Sequence, residues 1–153
     1  MYRDHNLGEL NITNVGQTVQ LAGWIQKIRN LGAMKFFDLR DEFGITQIVI
    51  QEESLMQLAN ELVTETVISV TGKVVERVSK NDRIATGEIE VVAEKIEVLG
   101  KCKNVLPFEI NTEASKNVRE DLRLEYRYLD LRNDDLHKSR IVAMSFCEPR
   151  SWF

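Results

Sequence analysis

One aromatic side chain in the run MKFFDLRD is placed where it could stack on a flat ligand. The two-residue period of a β-strand sends Phe37 and Leu39 to one face of this run. The other face then carries Phe36, Asp38 and Arg40. With Phe37 and Leu39 in the core, Phe36 is expected outside, where a ring can stack on an unpaired base with a gain of about 1–3 kcal/mol. The alternative is a partly covered surface phenylalanine.

A side-chain amide falls near this ring. Gln47 lies eleven residues after Phe36, and a tight hairpin would place it diagonally opposite on the same face of the neighbouring strand. An amide both donates and accepts hydrogen bonds, so it can contact the edge of a base. We predict that Phe36 and Gln47 project together into solvent. The alternative for Gln47 is an ordinary solvated strand residue.

Two groups of polar and basic residues could contact phosphates. The stretch from Trp24 to Phe37 contains Lys27, Arg29 and Lys35 and no acid, which predicts a local positive patch. Its alternative is a solvated strand end, and Trp24 is expected in the core. The second group belongs to the segment around the polar loop 79–87, and its members are Arg77, Lys80, Asn81 and Arg83.

Two carboxylates follow that loop. Glu88 and Glu90 share a face of the next strand, opposite Ile89. A carboxylate beside a nucleotide groove is unfavourable unless it accepts a hydrogen bond, and the N4 amino group of cytosine is a suitable donor. The spacing does not choose between the two acids, and both could be exposed acids without a binding role.

The elements that must position these residues are short. Strands are predicted over 18–29, 34–41, 45–51, 67–78 and 88–98, and a helix over 54–65 with Ser54 as its N-cap. The last strand changes phase between Val91 and Ile96, which is typical of a bulge. Three strands, one helix and two strands is the order of the OB fold, a five-stranded Greek-key barrel. The expected fold class is all-β with one inserted helix, followed by a short, partly helical hinge.

Domain boundaries follow from changes in composition. Residues 1–100 form the predicted OB domain, and residues 101–143 form a linker or hinge with mixed charges. Residues 144–153 are an atypical tail, in which Pro149 would break a helix.

Composition excludes several classes of protein. A net charge of −4 and a pI near 5.3 argue against binding nucleic acid through bulk positive charge. Cys102 and Cys147 are far apart, and together with His5 and His137 they form neither a metal motif nor a disulfide framework. No apolar run has the length of a membrane span and no signal peptide is visible, so a cytoplasmic protein without a membrane partner is expected. No catalytic constellation is visible in residues 1–153.

Four stretches of the chain resemble one family. They are LAGWIQKIRNLGAMKFFDLRDEFGITQIVI, VTGKVV, ATGEIEV and LRLEYRYLDLR, and over about residues 1–143 the chain is similar to the N-terminal anticodon-binding domain of aspartate–tRNA ligases, which are class II aminoacyl-tRNA synthetases. The resemblance implies that Phe36 and Gln47 contact anticodon bases and that Arg29 takes part. It also implies that an acid after the TG dipeptide, Glu88 or Glu90, reads the last anticodon base, a cytosine.

The resemblance further implies a role within a larger enzyme. The family attaches aspartate to its tRNA with ATP and Mg²⁺ in a catalytic domain beyond these residues, and whole enzymes form homodimers. The chain alone is therefore expected to bind the tRNA anticodon stem-loop without a cofactor and to be inactive as a ligase. Two other functions stay open: a general single-stranded nucleic-acid module and a protein-interaction OB barrel.

Overall fold

The structure is a computed structural model that describes residues 2–103, 106–110, 117–133, 135–136, 138–139 and 142. The chain divides into two compact units, Met1–Lys103 and Asn104–Phe153. The predicted tail 144–153 lies outside the described residues. Among the described residues, no helix is both long and apolar enough to cross a membrane.

The first unit is a closed barrel of five strands. The strands are β1 Thr18–Leu31, β2 Met34–Arg40, β3 Ile45–Ile50, β4 Val67–Glu76 and β5 Ile89–Gly100. They pair in the order β1-β2-β3-β5-β4, and β4 closes the barrel against β1. Only the β3–β5 pairing in this barrel is parallel. The predicted fold class is confirmed.

Alternation along the strands fills the barrel. Val19, Leu21 and Ile25 point inward from β1 and are almost completely buried. Phe37 and Leu39 are fully buried on β2, as the two-residue period predicts. Each such side chain contributes roughly 1.5–3 kcal/mol when it leaves water, so these inward faces hold the barrel together.

Bulges change the phase of the alternation in two of the strands. The pairing of β1 with β2 skips Gln26, and after it Lys27 pairs with Asp38 and Arg29 with Phe36. The pairing of β5 with β4 skips Glu94, which confirms the predicted bulge. An extra residue in one strand turns the following side chains to the other face, and the first bulge therefore sets the orientation of Arg29.

The inserted helix α1 spans Glu53–Glu61, which is shorter than the predicted helix. Ser54 is not its N-cap, because that position belongs to Glu52, which makes no side-chain capping hydrogen bond. Its apolar side packs against the barrel core, with Ala59 and Leu62 buried. The helix ends before Leu62, whose backbone is already extended.

The described residues of the second unit include the short helices α2 Glu120–Glu125 and α3 Arg127–Asp130. The carboxylate of Asp130 is fully buried and accepts hydrogen bonds from Arg123 Nε at 2.9 Å and from Arg127 Nη1 at 2.7 Å. Buried carboxylates need such partners. This part of the chain is a short helical segment, as predicted.

Candidate nucleic-acid interface

A groove of about 490 Å³ lies on the outer side of the barrel across β2, β3 and β5. Its volume falls in the range of about 300–1,000 Å³ that is usual for ligand clefts. The residues that line it come from these strands, from the tip of the β1–β2 hairpin and from the end of β4; they are Arg29, Leu31, Met34, Phe36, Gln47, Val49, Gln51, Arg77, Val78, Ser79 and Glu90.

Phe36 is the aromatic member of this groove. It is half-buried on the outer face of β2, between the fully buried Phe37 and the inward-facing Lys35. The register pairs Phe36 with Val49 and Asp38 with Gln47, so Phe36 and Gln47 are diagonal neighbours on one face. The predicted side of the strand is confirmed for both residues.

Gln47 does not project into solvent. Only 4% of it is exposed, so the prediction of a solvated amide is wrong. The reason is its position on β3, which lies between β2 and β5 and is buried from Thr46 to Ile50. Gln47 therefore forms part of the groove floor, while Phe36 forms part of its wall.

Hydrogen bonds join four polar side chains around this floor. Arg29 Nη2 donates to Asp38 Oδ1 at 2.5 Å and to Gln47 Oε1 at 3.0 Å. Gln47 Nε2 donates to Glu90 Oε2 at 2.8 Å. The Arg29 guanidinium also lies 6.0 Å from the centre of the Phe36 ring, a cation–π distance. We call the set Asp38, Arg29, Gln47 and Glu90 the groove network.

Two donors in the groove have no partner. The Nε atoms of Arg29 and Arg77 are buried and make no hydrogen bond in the described structure. A buried donor without an acceptor costs about 1–3 kcal/mol. This cost falls beside the groove, since both arginines line it.

The structure separates the two candidate acids. Glu90 lines the groove, and burial raises the pKa of its carboxyl, although the Gln47 hydrogen bond and the nearby Arg77 charge act in the opposite direction. Glu88 does not line it; 56% of its side chain is exposed and it faces Lys80 at 3.7 Å. Of the two carboxylates, only Glu90 lines the groove.

Lys35 cannot contact a phosphate from its position. It is 7% exposed, and its Nζ donates to the carbonyl of Ala59 in α1 at 3.1 Å. Lys35 shares the inward face of Phe37, so the period of β2 sends it under α1 and away from the groove. The prediction of Lys35 as a phosphate contact is wrong. Lys27 is exposed on β1 but does not line the groove.

Lys80, Asn81 and Arg83 around the β4–β5 loop also lie outside the groove. Lys80 Nζ lies 3.2 Å from Glu76, and this hydrogen bond raises the pKa of Lys80. Asn81 Oδ1 accepts the Arg83 N–H at 3.2 Å, and Asn81 N donates to Gly87 O at 3.0 Å. A Cβ on Gly87 would meet Asn81 O at 1.8 Å, so only glycine permits this close approach. The phosphate contacts of Lys80, Asn81 and Arg83 stay predictions.

Sequence reasoning missed the apolar part of the groove. Leu31 is 67% exposed, Met34 is 39% exposed and Val78 is 99% exposed. Leu31 and Met34 face each other across the hairpin tip, which is turned by Gly32 at a φ of +64°. The available signal is the apolar pair on either side of the glycine-containing tip, because grouped exposed apolar residues mark interaction sites. Trp24 is half-buried and lies outside the core that was predicted for it.

The groove belongs to a barrel whose sequence matches a known family. Residues 19–99 match the family model described as "OB-fold nucleic acid binding domain". The short name of this model refers to the tRNA anticodon. The chain therefore belongs to the OB-fold nucleic acid binding domain family.

Curated relatives of known activity narrow the family further. The chain is 49% identical over 142 residues to the aspartate–tRNA ligase of Mesoplasma florum, and 48% identical over 140 residues to the aspartate–tRNA(Asp/Asn) ligase of Chlamydia abortus. These matches cover 93% and 88% of the chain, and they confirm the resemblance drawn from the sequence. In both cases the chain spans 24% of the relative's length.

Solved structures of two synthetases are similar to this chain. The asparaginyl-tRNA synthetase of Pyrococcus horikoshii complexed with asparaginyl-adenylate has a TM-score of 0.71 at 30% identity, covering 87% of this chain and 30% of that chain. The aspartyl tRNA synthetase of Entamoeba histolytica has a TM-score of 0.77 at 21% identity, covering 86% and 33%, and supports the fold alone.

Proposed function

We propose that the barrel binds the anticodon stem-loop of an aspartate tRNA, as the anticodon-recognition domain of an aspartate–tRNA ligase. One observation carries this proposal: the half-buried ring of Phe36 stands beside the hydrogen-bonded side chains of Arg29, Gln47 and Glu90 in a single groove. Single-stranded RNA recognition needs such a ring for stacking, polar groups for base edges and a cation for backbone charge. The relatives' names support the same tRNA.

The geometry suggests how the last anticodon base is read. One Glu90 oxygen, Oε2, accepts the Gln47 amide, and the second oxygen is the acceptor for an incoming base. Cytosine offers its N4 amino group there, while uracil would place its O4 carbonyl against a carboxylate. Glu90 therefore favours cytosine, and we assign this role to it in preference to Glu88.

The whole protein would then ligate aspartate to this tRNA in the cytoplasm. The adenylate step would use ATP and Mg²⁺ in a catalytic domain reached through a hinge at residues 101–143, and the enzyme would be a homodimer. We expect these 153 residues alone to show no aspartate-dependent ATP–pyrophosphate exchange. Their contribution is to recognise and position the tRNA.

The test is binding of labelled anticodon stem-loops to the chain. The aspartate loop should bind at least about fivefold more tightly than the same loop with its last anticodon base changed from cytosine to uracil, since one specific base contact discriminates by about 1–3 kcal/mol. The uracil loop also carries the asparagine anticodon, so the same comparison measures whether this barrel separates the two tRNAs named in the chlamydial relative.

Two outcomes would overturn the proposal. Equal affinity for all loops and for unstructured single strands would make the barrel a general nucleic-acid module. A lack of RNA binding would favour a protein-interaction barrel, and so would RNA binding that the double change Phe36→Ala and Gln47→Met leaves unaffected. Thermal melting of each variant has to accompany the titrations, because Gln47 is buried.

A further inference from the structure

Asp38 is the member of the groove network that has no role in the proposed recognition. It lies on β2, two residues from Phe36 on the same face, and it pairs with Gln47 on β3. Its Oδ1 accepts the Arg29 Nη2 donor at 2.5 Å. Asp38 does not line the groove, and 23% of its side chain is exposed. Its hydrogen bond to Arg29 connects it to the side chains that line the groove.

The chemistry of the network fixes one orientation of the Gln47 amide. A guanidinium only donates hydrogen bonds and an ionised carboxylate only accepts them. Gln47 must therefore turn Oε1 toward Arg29 and Nε2 toward Glu90, as its distances of 3.0 Å and 2.8 Å show. An amide rotated by 180° would place its NH₂ group against the Arg29 donors and its oxygen against the Glu90 carboxylate.

The position of Arg29 is in turn set by Asp38. The Arg29 side chain is 38% exposed, and its other two contacts in the groove are the Gln47 oxygen and the face of Phe36. Asp38 supplies the charged partner of this guanidinium, and charge-assisted hydrogen bonds are roughly twice as strong as neutral ones. Without that anion, the long and flexible arginine side chain has a solvated alternative.

We propose that Asp38 is a positioning residue for base recognition, which holds Arg29 so that the Gln47 amide presents a single donor and acceptor pattern to the base. This inference rests on the proposed function and adds a residue outside the ligand contacts. It assigns to Asp38 an effect on the choice among anticodons that exceeds its effect on folding.

The test compares Asp38→Asn with the unchanged chain in titrations with the aspartate loop and with three loops that each carry one changed anticodon base. Asparagine has nearly the same shape but no negative charge. We expect discrimination against at least one changed loop to fall by about fivefold or more, the lower end of what one bidentate base contact supplies. The melting temperature should stay within about 3 °C, because the pair is partly exposed.

Two further variants separate positioning from general damage. In a Gln47→Met background, Asp38→Asn should change discrimination no further, since the amide it orients is gone. Glu65→Gln is the matched control: it alters the other arginine–carboxylate pair of β2, Arg40 with Glu65, outside the groove. It should lower the melting temperature and leave discrimination unchanged. The Nε2 resonances of Gln47 should shift in Asp38→Asn and not in Glu65→Gln.

The outcomes distinguish this inference from the proposed function. If the unchanged chain prefers the aspartate loop and Asp38→Asn retains that preference, Asp38 has no positioning role and the proposed function stands. The positioning role is equally refuted if Asp38→Asn has the same effect with and without the Gln47 amide. If the unchanged chain shows no preference among loops, the proposed function fails and this inference fails with it.

Discussion

Two arginine–carboxylate pairs lie along the outer face of β2, and they differ in what surrounds them. Arg29 and Asp38 have side chains that are 38% and 23% exposed, and the buried Nε of Arg29 lacks a partner. Arg40 and Glu65 are 6% and 8% exposed at a distance of 3.4 Å. The first pair lies beside the groove, which Arg29 lines, while the second is enclosed in the barrel wall. We therefore expect ligand recognition to depend on the first pair and folding to depend on the second.

The largest loss of stability should come from breaking the enclosed pair, Arg40 with Glu65. Replacing Glu65 with alanine removes the Glu65 carboxylate from the buried Arg40 guanidinium, and breaking a buried pair costs about 3–5 kcal/mol. The melting temperature should fall by roughly 10 °C or more. Glu65 also has a φ of +63°, which alanine would not relieve.

Asp38→Ala is the comparison for that experiment. An exposed ion pair contributes about 0–1 kcal/mol, so its melting temperature should change by only a few degrees. Equal losses in Glu65→Ala and Asp38→Ala would show that the two pairs do not differ as their burial indicates. Urea titration of both variants would provide an independent measure of stability.

The next largest effect concerns the ring beside the exposed pair. Phe36→Ala should weaken binding of the aspartate stem-loop by roughly 5- to 150-fold, because a stacked base contributes about 1–3 kcal/mol. Its melting temperature should change little, since the ring is only half-buried. Titration and thermal melting of the same sample give both quantities.

Phe43 offers a matched control for this ring. It is 56% exposed, and Arg3 lies over it at 5.7 Å, which resembles the contact of Arg29 with Phe36. It does not line the groove. Phe43→Ala should leave RNA affinity unchanged. A large drop in melting temperature for Phe36→Ala, with affinity retained, would instead make Phe36 a core residue.

A smaller effect should come from Glu90 and depend on pH. Burial raises its pKa in the folded protein, so the folded state binds the proton more strongly than the unfolded chain does. The contribution of Glu90 to stability is therefore greatest below its unfolded pKa and declines as pH rises through its folded pKa. Glu90→Gln should match the unchanged chain near pH 4 and melt at most about 1–2 °C higher at pH 7, because solvent screens this partly exposed group.

The same variant tests recognition. Glu90→Gln should reduce the preference for cytosine over uracil at the last anticodon base, because an amide can donate to O4 as well as accept from N4. Glu88→Gln is the control, since Glu88 lies outside the groove. A melting difference at pH 7 with the opposite sign would contradict the assigned cause of the pKa shift.

The alternation of inward and outward side chains along a single strand could be predicted from the sequence. Phe37, Leu39 and Ile89 are fully buried where the two-residue period places them, and that period fixes the face of Phe36. The burial of Gln47 could not be read in this way, because it depends on β5, which joins β3 from more than forty residues away. Pairing across such a distance also brings Glu90 to Gln47.

Local pattern was also enough to place Lys35, although charge suggested otherwise. It precedes Phe36 by one residue and so shares the inward face of Phe37, where its amine meets the Ala59 carbonyl. Charge clusters predict phosphate contacts only for residues on the ligand face. The bulge at Gln26, which orients Arg29, has no equally clear signal in the sequence.

The smallest expected effect is on the salt dependence of binding, and it distinguishes a cation under α1 from a cation in the groove. Lys35→Met should leave the dependence of stem-loop affinity on salt concentration unchanged, because its ammonium lies under α1. Each phosphate contact on a single strand contributes about 0.7 to the slope of log K against log salt. Arg77→Met, which changes a cation of the groove, should lower that slope by up to about 0.7 if Arg77 contacts a phosphate. A lower slope for Lys35→Met would mean that the Lys35 ammonium leaves the Ala59 carbonyl and contacts a phosphate when RNA binds.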